Sequence, residues 1–324
     1  MSSTLVYPSR LVKVGIGKES TFGTAVAPAA GLAVAAPGVS DKHATIVDTG
    51  WRQSTAASYG HQPGPLDSAV SLGGPAFVDA LGWPLAGVLG DHTVTGTTAP
   101  YTHTLALLNS GSMQPSSYTV TLDDPVGALA YPGCRWSGFT LTANADGLLT
   151  WGGTLAGLNP GAGSVPPAPA VVLPMPGWSG VVTIGGSVES RVLDLSVSIT
   201  RQLTAKRNTN GQQTPNNIQA GALAVSGQAT LLIHNDNYRS SLLNASSLAI
   251  DATWSQGAGA ASQQITLHSS ACVLDAASRA YVGDWVEVQL GWTADANTTD
   301  AGASGGKSPI KATLINAVGA GLYT

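Results

Sequence analysis

From Val192 to Thr200 the chain reads VLDLSVSIT, with Leu193, Leu195, Val197 and Ile199 alternating one for one with Asp194, Ser196, Ser198 and Thr200. Successive strand residues point to opposite faces, so this period commits the segment to a strand with one face buried and one in water. ALAVSGQATLLI resumes the alternation through Leu223, Val225, Ala229, Leu231 and Ile233, and the polar stretch RQLTAKRNTNGQQTPNNIQA lies between the two runs. Two long strands flanking a polar tip predict a projecting hairpin over residues 201–220. Shorter strands are expected at 69–77, 102–108, 117–122, 136–143 and 148–155, the last two joined by the turn Asn144-Ala145-Asp146-Gly147, whose glycine tolerates positive φ. VVTIGG near residue 181 and segments at 250–254, 265–267, 271–274, 285–290 and 311–315 complete the set. Helical spacing appears at Phe77, Val78, Leu81, Leu85, Val88 and Leu89, where Pro84 is expected to kink or break the helix. Asp236 is placed to cap a second short helix carrying Tyr238, Leu242 and Leu243. The class is mainly β with two short helices.

A chain of 324 residues is long for a single core. Residues 1–65 read as irregular, a short strand-like LVKVGIG followed by turn-rich sequence, and their Gly and Pro make residues 1–44 an extended N-terminal arm. Residues 45–158 are then a first domain, the Pro/Gly-rich stretch 159–180 a linker, and 181–324 a second domain. The order of elements recurs: a strand, a helix, then SYTVTLDD and a segment from Cys134 ending in LLTWGG; later a strand, a helix, then LAIDATWS and a segment from Cys272 ending in WVEVQL. A tandem duplication over 45–158 and 190–317 and a chance likeness between β-proteins both fit this order.

Charged residues make up only 10% of the chain, against roughly 25% in ordinary soluble domains. A charge-poor exterior is explained if copies of the chain cover one another, or if Ser, Thr, Asn and Gln do the solvating. Net charge is -4, and the 14 Lys and Arg are scattered apart from Lys206 and Arg207, so tight binding of nucleic-acid phosphates is not expected. Cys134 and Cys272 have no CxxC or zinc-type spacing and are expected as buried thiols. Neither a signal-peptide pattern nor an apolar stretch of spanning length is seen, so the protein is expected to be made and kept inside a cell, away from membranes.

Catalytic motifs fail on context. Gly302 to Gly306 satisfies G-x-S-x-G, but no Asp, Glu or His follows Ser304, and a flexible loop is expected. His43, His61, His92, His103, His234 and His268 show no HExxH or HxE spacing. Asp123 and Asp124 are adjacent on a strand and point to opposite faces. Gly15-Ile-Gly17 with Lys18 lacks the rest of a phosphate loop, and the Asn244 and Asn297 acceptor patterns matter only in a secreted protein. No catalytic, cofactor or metal residues are assigned.

The opening VGIGKESTFGTAVAP, the middle YTHT, SYTVTLDD and YPGCRWSGFTLT, and the ending SPIKATLINAVGAGLY resemble, in that order, the tail tube (major tail) proteins of long-tailed bacteriophages. That resemblance implies β-sandwich or barrel-like tube domains with flanking helices. They would build rings whose sheets join side by side around a channel for the genome, in the virion after assembly in the host cytoplasm. Partners would be the chain itself, with trimeric pseudo-sixfold rings favoured over hexamers, and the tape measure, terminator and distal tail proteins. DNA would pass transiently along a neutral to acidic lumen. The hairpin tip is the candidate ring-stacking loop, with Lys206, Arg207, Asn208, Asn210, Gln212, Gln213 and Asn216. A tail terminator, a baseplate hub, an adhesin or carbohydrate-binding module, and a hydrolase are the other readings.

Overall fold

In the computed structural model, which describes residues 7–170, 172–281 and 284–323, every pairing between the strands is antiparallel. The first half runs β1 (Lys13–Lys18), β2 (Ala30–Leu32), β3 (Gly38–Asp48), β4 (Gly60–Pro75) and α1 (Val78–Leu89). It continues through β5 (Gly90–Thr95), β6 (Tyr101–Leu107), β7 (Tyr118–Asp124), β8 (Gly127–Asn144), β9 (Thr150–Gly157) and β10 (Gly161–Ala162). The second runs β11 (Gly180–Ile184), β12 (Ser187–Val188), β13 (Val192–Lys206), β14 (Asn217–Leu232) and α2 (Asn237–Leu243). β15 (Ser247–Gln256), β16 (Gln263–Ala280), β17 (Glu287–Ala294) and β18 (Lys311–Asn316) end it. The mainly β class with two short helices is therefore as the alternation predicts.

One sheet runs in the order β3-β4-β9-β8-β13-β14-β17-β16. Two others cover its apolar face: β2-β1-β7-β8-β10, and β12-β11-β15-β16-β18-β6-β5. β8 and β16 each serve two sheets. A β-bulge bends a strand, and each of these carries two: β8 at Pro132-Gly133 and at Ser137, β16 at Ser270-Ala271 and at Asp275, every position 138 later. Cys134 and Cys272 are free and buried at the same offset, each with its Sγ on a backbone carbonyl three residues back, Tyr131 at 3.2 Å and Ser269 at 3.7 Å. Strand partners correspond in the same way: β1–β7 matches β11–β15, β3–β4 matches β13–β14, β4–β9 matches β14–β17, and β10–β8 matches β18–β16. The bulge of Ala44 against Gly64-Pro65 in one hairpin is matched by Gln202 against Gly221-Ala222 in the other.

The early part of the chain is more ordered than its Gly and Pro content suggests. Val14 and Ile16 of β1 are buried, and the glycine between them allows close approach; a Cβ on Gly15 would sit 2.6 Å from Pro28 and 2.7 Å from Pro166. Gly31 meets Pro167 so closely that a Cβ there would lie 2.1 Å from its carbonyl oxygen. The chain at 172–177 lies across the first half: Met175 N donates to Ala76 O at 2.9 Å, Leu149 N to Met175 O at 2.9 Å, and Gly177 N to Gly147 O at 2.8 Å. β3 and β4 form a long hairpin whose outer part is exposed on both faces, so no apolar alternation marks that part in the sequence, while the inner part of β4 overlaps the strand expected at 69–77.

α1 continues through Pro84 without a break. The C-terminal segment holds it: Asn316 Nδ2 donates to Val78 O at 3.3 Å and Tyr323 OH to Asp79 O at 2.6 Å, taking carbonyls in the turn before the proline. Asp236 does not cap α2 through its side chain; its carboxylate is taken by Arg239 and Arg279. Tyr323 is buried over Gly82, where a Cβ would sit 2.3 Å from the ring. Tyr323→Phe is expected to lower unfolding stability by about 1–2 kcal/mol, because Asp79 O and Asn316 Nδ2 lose their shared partner in a dry site; a denaturant midpoint equal to the native one would contradict this.

Candidate channel face and assembly edges

One face of the long sheet buries Phe139, Leu141, Leu195, Val197, Ile199 and their neighbours; the other carries hydroxyls and amides. Thr140 and Ser198 hydroxyls meet at 3.0 Å across the β8–β13 junction, Thr142 and Ser196 at 3.4 Å, and Ser137 and Thr154 at 2.7 Å across β8–β9. Period two also places Asp67, Asp194 and Glu287 on this face, against Lys42 and Lys206. Two further cations are withdrawn into the interior. Arg201 donates to Val88 O at 2.7 Å and Met113 O at 3.1 Å, and Arg135 to Pro115 O at 2.8 Å. Burial, with Arg135 nearby, pulls Arg201 down to about 10. The face is polar, hydroxyl-rich and short of positive charge.

Beyond this sheet reach two hairpin tips. The candidate loop of the sequence reading closes β13 and β14, and Lys206, Arg207, Asn208, Asn210, Gln212, Gln213 and Asn216 are all exposed there. The tip also leans on its own chain: Arg207 pairs with Asp67, Gln213 O accepts from Leu66 N at 3.1 Å, and Lys206 O from Asn216 N at 2.8 Å. Sequence reasoning missed the second tip, residues 49–59 between β3 and β4, where Trp51 is 99% exposed. Arg52 pairs with Asp48 and stacks over the Tyr59 ring at 5.1 Å, and Asp48 Oδ1 accepts from Gly50 N at 2.9 Å. A tryptophan inside the polar run GWRQSTAASYG was the available signal.

Both ends of the long sheet are open. Among the described residues β3 pairs with β4 alone, and from Leu274 onward β16 pairs with β17 alone. Unpaired strand edges are templates for another chain.

The interior clusters resemble catalytic sites only in part. Asp251, His268 and Ser270 lie in line: His268 Nδ1 contacts Asp251, and Nε2 is 2.9 Å from Ser270 Oγ. Ser270 is nevertheless spoken for, since its hydroxyl donates to Asp300 Oδ1 at 2.7 Å and its amide to Asp300 Oδ2 at 2.8 Å. A hydroxyl already bonded to a buried carboxylate is not poised for attack, and the same carboxylate occupies the amide that would stabilise an oxyanion. Ser304 is pinned rather than flexible, with its hydroxyl on Asp91 at 2.8 Å and accepting from Asn109 N at 3.0 Å. His92 and His103 stack with centroids 5.2 Å apart, and burial lowers both, His92 to about 4. Among the described residues no His, Cys, Asp and Glu group could hold a metal ion, and no helix is long and apolar enough to cross a membrane.

Antiparallel sheet with two open ends, a hydroxyl-lined face and projecting hairpins define a structural building block. The family model for phage tail tube proteins matches residues 9–314, and the chain belongs to that family. It is a structural tail tube protein and a virion component. No curated protein matches the chain.

Proposed function

We propose that the chain forms the wall of the tail tube as stacked rings through which the genome is delivered. The observation that carries this is the long sheet, apolar on one face, hydroxyl-rich and cation-poor on the other, with an unpaired strand at each end. Such a sheet placed around an axis gives a lumen that does not hold phosphates, since retention requires converging cations. The matched strand partners and bulges support a tandem pair of tube units within one chain, with the correspondence beginning at the short 3-10 turns Ser9–Leu11 and Gly177–Ser179. On that reading 1–44 is not wholly an arm and 159–180 not wholly a linker, because parts of each contribute strands to a unit. Three chains then close a ring of six similar units, and the tips 49–59 and 207–216 couple one ring to the next. Tape measure, terminator and distal tail proteins are the further partners, met during assembly in the host cytoplasm.

The purified chain is expected to polymerise into hollow tubes of uniform diameter with three chains per ring. Rotational symmetry in averaged projections decides this: threefold averaging should retain side-chain detail that sixfold averaging blurs. Monodisperse monomers across concentration and salt would overturn the tube reading, and detail surviving sixfold averaging would overturn the ring of three.

A further inference from the structure

Inside the chain, one junction between the two halves can be seen in full. β8 lies against β13 with Thr140 opposite Ser198 and Ala143 opposite Leu195. Just beyond, Ala145 N donates to Leu193 O at 3.4 Å, and Ala143 and Ala145 form one wall of a cavity of about 410 Å³ that also touches Trp178, Val192 and Trp254. The first half has the counterpart of this cavity. It is bordered by Arg10, Val12, Val34, Val39, Leu122 and Tyr131, beside the 3-10 turn Ser9–Leu11, and it measures about 860 Å³. Part of its lining matches the other: Arg10 stands where Trp178 does, Val34 where Val192 does, and Asp124 where Trp254 does. What it lacks is the wall that Ala143 and Ala145 supply.

The residue equivalent to Ala143 in that wall is Tyr281, 138 positions on and just past the end of β16. This region shows large apolar side chains to solvent: Tyr281 is 74% and Trp285 72% exposed. Such rings stay exposed at a cost, and residues of this type anchor interfaces when a pocket receives them. The larger of two matched cavities therefore lies at one end of the sheet, and the bulkier of two matched edge segments at the other.

We propose, resting on the tail tube reading, that a second copy docks here: the β16 edge of one chain pairs with β3 of the next, Ser278 opposite Ser40, while Tyr281 and Trp285 fill the groove beside β3. The register follows by carrying the β8–β13 pairing onto β16 and β3, using the offset of 138 for one strand and 158 for the other, which the bulges fix. It places Ala276 opposite Lys42, Ser278 opposite Ser40 and Ala280 opposite Gly38. Apart from Lys42, the residues on this approach are small, and the serine pair extends the Thr140–Ser198 hydroxyl contact into the next subunit. Two different surfaces meet, so each docked copy leaves its other edge free, as ring closure requires and a twofold dimer does not.

The test is a Ser40→Cys, Ser278→Cys double variant under mild oxidation, with Thr45→Cys, Ser278→Cys as the out-of-register control. Facing β-carbons within disulfide reach should give covalent oligomers for the first pair and little for the second. Trp285→Ser removes only an exposed ring, so its melting curve should match the native chain. The concentration for half-assembly should nevertheless rise about 30-fold, the effect of losing one interface anchor. Tubes that form without the Ser40–Ser278 link, and with Trp285→Ser assembling at the native concentration, would overturn the docking and leave the tube reading intact. A native chain that does not assemble, together with a double variant that forms no link, would overturn both.

Discussion

A Trp51→Ala chain should still close into rings, but the association constant between rings should fall by about four orders of magnitude. Trp51 crowns the β3/β4 hairpin at 99% exposure, and its setting is rigid: Asp48 accepts from Gly50 N, Arg52 pairs with Asp48, and the Arg52 guanidinium lies over Tyr59. A preorganised tryptophan seated in a partner pocket contributes about 2 kcal/mol as an interface anchor, and three such contacts acting together between rings multiply to the stated factor. The tip 207–216 should contribute less per residue, because Arg207 is already engaged by Asp67 and part of its charge is spent within the subunit. Deleting residues 206–216 should leave rings and few tubes. Sedimentation separates the two products, and negative-stain images identify them. Trp51→Ala tubes of native length and yield would refute the stacking role.

Acid should destabilise the fold between pH 6.5 and pH 4, through the histidine pair under the C-terminal segment. His103 Nε2 donates to Val318 O at 2.9 Å and to Asn316 Oδ1 at 3.1 Å, so its Nδ1 accepts from His92 Nε2 at 3.0 Å. His92 Nδ1 is buried with no partner among the described residues, which leaves a second proton there without an acceptor. Burial first, then His103 and Lys18, hold His92 at about 4, with only Asp91 opposing them. The folded state thus takes up a proton less readily than the unfolded chain at its ordinary 6.5. Stability is complete above pH 6.5, declines as pH falls toward 4 and is level below it, as proton linkage requires. The whole shift is worth about 3 kcal/mol, and solvent access to this half-buried ring reduces the expected loss to about 2 kcal/mol. His103 is lowered for the same reason and acts in the same direction. Denaturant midpoints at pH 7 and pH 4.5 should differ accordingly, and His92→Gln should remove most of the difference. Equal midpoints in the native chain would contradict this.

Legibility followed locality. The strand at 192–200 and its partner, the turn at Asn144–Gly147 and the two buried cysteines were all readable, because each signal lies within a few neighbouring residues. β3 and the outer part of its hairpin with β4 were not, since a strand exposed on both faces has no apolar period. β1 was legible as the strand-like LVKVGIG, but the purpose of its glycines was not, since one of the groups that Gly15 lets pass closely, Pro166, comes from a distant part of the chain. The continuous α1 was misjudged from Pro84, whose helix is braced by Asn316 and Tyr323 from the far end of the sequence.

By itself, then, the amino-acid order determined strand identity, the polar hairpin and the scarcity of charge, and these already pointed to a self-associating β-protein. Only the tertiary structure decided which strands become open edges, which apolar rings are left in water and which histidines are sealed against one another. Those are outcomes of pairing between distant segments, whose register depends on bulges and close contacts that no local period records.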